Sequence, residues 1–133
     1  MLEPATTVAF VPTKDLERAR HFYVDVLGLT LIEANDYVCV VGPPSSPTRI
    51  TLVDAFVPQP FTVLGWVVPD LDETLTELRA RGVEFLRYPG MDQDDAGTWT
   101  SPTGARVAWF HDPDANTLSI TALPELARRR PTG

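Results

Sequence analysis

Apolar residues along this chain recur at two different periods, and the points where the period changes mark its elements. Residues 6–11 form a β-branched and apolar run. After Pro12, the residues Leu16, Ala19, Phe22, Tyr23, Val26 and Leu27 return at helical spacing as far as Gly28. Asp15 stands where a carboxylate accepts the first free N–H groups of that helix, and Gly28 where a left-handed residue ends it. Residues 29–34, 37–41 and 49–54 read as three strands, separated by the turn pair Asn35-Asp36 and a Pro- and Ser-rich loop over 42–47.

The order then begins again. Residues 61–68 read as a strand, Asp70 and Glu73 have capping-box spacing, and Leu71, Leu75 and Leu78 form a buried stripe that stops at Gly82. Residues 83–88 read as the next strand. An acidic loop, Asp92-Gln93-Asp94-Asp95, leads to Thr98-Trp99-Thr100 and then to a hairpin, Val107 to Ile120, that turns at Asp112-Pro113-Asp114-Ala115-Asn116. Each half is therefore βαβββ, and Val8 and Val63 stand the same distance upstream of Asp15 and Asp70. The prediction is one domain over 1–133, with a first module at about 5–57, a second at about 60–123 and a tail from 124. A unit that cannot close its own sheet pairs with its copy, and the pairing leaves a cleft.

Composition narrows the function more than the fold. With 44% hydrophobic and 22% charged residues, the chain can bury an ordinary core. A net charge of −7 argues against nucleic acid, whose recognition rests on clustered Lys and Arg. The one basic run, Arg128-Arg129-Arg130, reads as a solvated tail. No apolar run is long enough to span a membrane and no signal peptide is apparent, so a cytoplasmic protein is expected. Cys39 is the single cysteine and lies in an apolar strand, which suits a small core residue better than a nucleophile.

The final hairpin and the doubled βαβββ order resemble the vicinal oxygen chelate superfamily of glyoxalases, bleomycin-resistance proteins and extradiol dioxygenases, over about residues 6–121. The resemblance implies an α+β fold in which two βαβββ modules pair into curved sheets around a cleft. In that family the turn usually reads Asp-Pro-Asp-Gly-Asn; Ala115 replaces the glycine here, and must take positive φ if the turn geometry is kept. The family's metal-ligand positions fall on Val8, Val63, either Thr51 or Val53, and Ser119, where a glutamate is common. Aliphatic groups offer no lone pair and a hydroxyl is a weak substitute for imidazole or carboxylate, so no metal and no cofactor are expected.

Strand alternation together with the resemblance points to Val8, Phe10, Thr51, Val53, Val63, Gly65, Trp99, Val107, Trp109, His111 and Ser119 as the cleft's ligand-binding residues, with Val67, Thr117 and Thr121 beside them and Tyr37 near the rim. Residues of these types at strand spacing also fill ordinary cores. His111 shares the parity of Trp109, although lone histidines more often satisfy local bonds, and His21 reads as solvent-facing. The acidic loop reads as solvated and mobile. Trp66, of opposite parity to Val63, is expected in the core beneath the second helix.

No catalytic set is visible. The leading expectation is metal-independent binding or sequestration of a small hydrophobic or aromatic molecule, as in bleomycin-resistance-type proteins. The alternatives are a metal-dependent glyoxalase-type lyase, isomerase or dioxygenase, and a regulatory module that binds a partner. A homodimer is expected from the resemblance and from sheet edges that a second chain would cover.

Overall fold

Asp15 and Asp70 both cap as their spacing predicts, and the architecture can be followed outward from them. The computed structural model describes residues 1–124. It contains β1 (Ala9–Thr13), α1 (Leu16–Arg20), β2 (Leu31–Ala34), β3 (Val38–Val41), β4 (Thr48–Leu52), β5 (Thr62–Val67), α2 (Leu71–Ala80), β6 (Trp99–Thr100), β7 (Arg106–His111) and β8 (Thr117–Ala122). Two four-stranded sheets result, ordered β1-β4-β3-β2 and β5-β8-β7-β6, and the fold is α+β. Strand β1 runs parallel to β4, while β2–β3, β3–β4, β6–β7 and β7–β8 are antiparallel. No helix among the described residues is long and apolar enough to cross a membrane.

The chain separates into two units. The first comprises residues 1–63 together with the hairpin tip 112–116, and the second, among the described residues, comprises 64–111 and 117–124.

In the first unit Asp15 Oδ1 accepts from Arg18 N at 3.1 Å and opens α1. The helix does not stay α-helical. From His21 to Val26 it widens into a π-helical stretch, in which Leu27 N donates to Phe22 O at 2.9 Å, before Gly28 turns away with φ of 77°. Ala19 and Tyr23 are buried, as are Val11, Cys39, Val41 and Ile50, which share one face of the sheet. Cys39 is thus a core residue, and burial pushes its thiol pKa up.

Tyr23 brings a hydroxyl into this interior, and the hairpin tip supplies its partner. The hydroxyl donates to Asp112 Oδ2 at 2.7 Å, and Asn116 Nδ2 donates to the same oxygen at 2.9 Å. Asp112 Oδ1 accepts from the backbone N–H groups of Asp114 and Asn116, both at 2.9 Å, which folds the turn on itself. Asp114 accepts from the Thr13 hydroxyl, from Lys14 N at 3.0 Å and from Arg18 Nη2 at 2.9 Å. Ala115 sits at the apex with φ of 65°, the left-handed conformation that the turn geometry requires.

The second unit is held by apolar contacts. Asp70 Oδ1 accepts from Glu73 N at 3.0 Å, and α2 buries Leu71, Leu75 and Leu78. Ala108, Phe110, Leu118 and Ile120 are buried on β7 and β8, with Phe85 edge-on to Phe110 at 5.7 Å. The strand expected over residues 83–88 does not form. Phe85 makes one isolated bridge to Phe110, and Pro89 and Gly90 then turn the chain away.

Candidate functional site

On β7 the full burial of Ala108 and Phe110 fixes the opposite face as that of Val107, Trp109 and His111. Their cross-strand partners on β8 are Thr121, Ser119 and Thr117, and Trp99 on β6 lies opposite Val107. Trp109 is half-buried in an aromatic cluster. Tyr88 meets it edge-on, with centroids 5.6 Å apart and planes at 83°, and Trp99 lies 6.2 Å away at 37°. Such tilted pairs suit the ring quadrupoles and leave ring area for a further flat group. Trp99, Val107, Trp109, His111, Ser119 and Gly65 are thus brought onto one sheet face. A Cβ built at Gly65 would run into Ser119 Oγ, so this glycine makes room for a side chain of its own sheet.

Tyr88 was not among the expected residues. It is positioned by the acidic loop, in which Gln93, Asp94 and Asp95 take part in hydrogen bonds while Asp92, Asp94 and Asp95 are exposed, as expected of a solvated loop. Gln93 Oε1 accepts from Tyr88 N at 2.7 Å, while Gln93 Nε2 donates to the carbonyls of Leu86 and Gly97. Arg87 donates to the carbonyls of Gln93, Asp94 and Asp95, and Asp94 Oδ1 accepts from Ala96 N and Thr98 N. Burial raises the pKa of the Tyr88 phenol. Trp66 departs from expectation as well. It is half-buried like Trp99 and Trp109, because β5 is the outermost strand of its sheet.

In the first unit, Ile50 is fully buried against the helix, so its neighbours Arg49 and Thr51 face the other way. Arg49 is in register with Phe10 on one side and Val40 on the other, and Thr51 with Pro12 and Val38. Phe10 is 62% exposed. Val8 and Val53 lie just outside β1 and β4, and Val63 is the second residue of β5; all three are exposed. Tyr37 is exposed and His21 bonds Asp25 Oδ2 at 3.0 Å on the surface.

The sequence model of the Glyoxalase/Bleomycin resistance protein/Dioxygenase superfamily matches residues 5–120. The chain belongs to this superfamily. Similar solved structures include a superfamily member from Sphaerobacter thermophilus DSM 20745, with 26% identity, 92% of this chain and 99% of that chain covered, and a TM-score of 0.71. A glyoxalase/bleomycin resistance protein/dioxygenase from Nocardioides is similar at 22% identity, covering 98% and 91%, with a TM-score of 0.69. Lactoylglutathione lyase from Agrobacterium tumefaciens has 17% identity over 92% and 96%, with a TM-score of 0.70, and at that identity shows the fold alone. A search of the curated proteins finds none that matches.

The superfamily's best-known members use a divalent metal, so the donor set must be tested against one. The corresponding side chains are Val8, Val63, either Thr51 or Val53, and Ser119, which present only isopropyl groups and neutral hydroxyls. That set does not fit zinc, nickel, iron or manganese, each of which needs imidazole, thiolate or carboxylate donors. Among the described residues no three His, Cys, Asp or Glu side chains group in a way that could hold an ion. His111 is exposed, and its imidazole has no hydrogen-bond partner among the described residues.

Proposed function

We propose that this superfamily member binds or sequesters a small flat aromatic or hydrophobic molecule without a metal, using the sheet face of Trp109. The observation that supports it is the cluster of Trp109, Tyr88 and Trp99 on one face of the second sheet, with the neutral hydroxyls of Ser119 and Thr121 on the adjoining strand. Stacking and area burial hold such a ligand, and the hydroxyls orient it.

The test is a thermal-shift and fluorescence screen of bleomycin and a panel of flat aromatic natural products. A ligand that quenches tryptophan emission should lose roughly 1–3 kcal/mol of binding free energy in Trp109→Ala, the range for removing one large apolar contact. Binding that survives that substitution overturns the reading. Treatment with EDTA should leave the melting temperature and the binding unchanged, since a bound metal would stabilise by mass action. A metal-dependent lyase or dioxygenase predicts the opposite.

A further inference from the structure

Arg49 is the least compensated charge on the first sheet. It lies within β4, one residue from fully buried Ile50, and is itself half-buried. Both residues in register with it, Phe10 and Val40, are apolar, and Val40 is 6% exposed. Among the described residues the guanidinium has no hydrogen bond and no ion pair. The contrast with Arg18 and Arg106, which pair with Asp114 and Asp72 at 2.9 Å, is direct. Five donors in a planar fork, partly withdrawn from water and flanked by hydrocarbon, form a receptor for a bidentate oxyanion.

Thr51 adds a second donor. Two residues along the same strand puts its Cα about 6–7 Å from that of Arg49 on the same face, and its hydroxyl also has no partner among the described residues. Phe10 and Val40 provide hydrocarbon on the strands either side. The nearest acidic side chain by register is Glu33, opposite Val40 on β2; it is exposed and does not ion-pair with Arg49.

We propose that Arg49 and Thr51 form an oxyanion subsite on the first sheet that takes the carboxylate or phosphate of a small organic anion, with the anion's apolar body against Phe10 and Val40. The inference does not rest on the aromatic face of the second unit.

Titration calorimetry of the full chain with benzoate, phenyl phosphate and neutral benzamide tests it. Benzoate or phenyl phosphate should bind saturably and benzamide at least tenfold more weakly. In Arg49→Gln the anion's affinity should fall about tenfold or more, the loss expected for one charge-assisted contact, and Arg49→Lys should restore part of it. Glu33→Gln should bind at least as tightly as the wild type. Should Arg49→Gln fold poorly, phenylglyoxal labelling of the wild type supplies the second measurement, with phenyl phosphate expected to protect Arg49. The proposal is overturned if neither anion binds, if benzamide binds as well as benzoate, if Arg49→Gln keeps full affinity, or if Arg49 is labelled equally with and without phenyl phosphate.

Discussion

Tyr23 and Leu78 stand at the same step beyond their capping aspartates, Asp15 and Asp70, and both are buried, but only one carries a polar atom inward. In the second unit, leucines pack on apolar strands, an arrangement that tolerates changes of shape at modest cost. In the first, the phenol must find an acceptor, and Asp112, Asn116 and Asp114 are committed to it and to one another. The same helix position can thus serve as a contact in one copy and as the anchor of a directional network in the other. A network of this kind specifies one arrangement, and removal of a member costs its partners a hydrogen bond.

Asp112→Ala attacks that asymmetry where it is greatest, since it removes the acceptor of the Tyr23 hydroxyl, of one of the two Asn116 Nδ2 bonds (the other goes to Pro12 O) and of two backbone N–H groups. Urea denaturation should show a loss of about 3–5 kcal/mol, against about 2–3 kcal/mol for Leu78→Ala in the apolar counterpart. Equal losses would erase the distinction. Tyr23→Phe should cost about 1–2 kcal/mol at neutral pH. Burial first, and then Asp112, raise the Tyr23 pKa far above its ordinary value. The stability this phenol contributes is therefore complete below about pH 10, where an unfolded tyrosine titrates, and is lost as pH rises beyond it. Alkaline unfolding should be steep in the wild type and shallower in Tyr23→Phe.

Ala115→Gly should raise stability by about 0.5–1 kcal/mol, because glycine adopts positive φ without the Cβ penalty. A loss would mean that the methyl group contributes more than the strain costs. The smallest effect is expected in the second unit, where Arg106 forms a fork on exposed Asp72 at 2.9 and 3.3 Å. Hydrogen bonding to Arg106 lowers the Asp72 pKa, so the pair's contribution is present above the unfolded value near 4 and lost as pH falls through the folded one. Screening keeps it below about 1 kcal/mol, and Asp72→Asn should change acid stability by no more than that.

The capping aspartates, the βαβββ order of the first half and the conformation of Ala115 were legible because each rests on local chemistry: a carboxylate on free N–H groups, a two-residue period, a turn with one awkward φ. What failed depended on distance. Residues 83–88 alternate like a strand but find a single bridging partner, and Trp66 is only half-buried because its strand ends a sheet, which no local pattern reveals. The π-helical stretch at His21–Val26 leaves the apolar spacing almost unchanged. Arg49 was within reach of the alternation that selected Thr51, since the same face recurs two residues earlier; Tyr88 was not, because Gln93 positions it through loop hydrogen bonds. Arg128-Arg129-Arg130 lie outside the described residues.

The tip of the last hairpin also bears on when the protein can become native. The bond from Thr13 to Asp114 joins residues 101 apart in a chain of 133, and that from Tyr23 to Asp112 residues 89 apart. During synthesis residues 1–63 emerge before the hairpin tip, so the Tyr23 hydroxyl lacks its acceptor, and its burial goes uncompensated, until Asp112 has been made. Contacts of such long sequence separation slow folding and prolong the life of half-made chains. A nascent chain stopped short of Asp112 should stay protease-sensitive in its first half, whatever the strength of its local helix and strand signals.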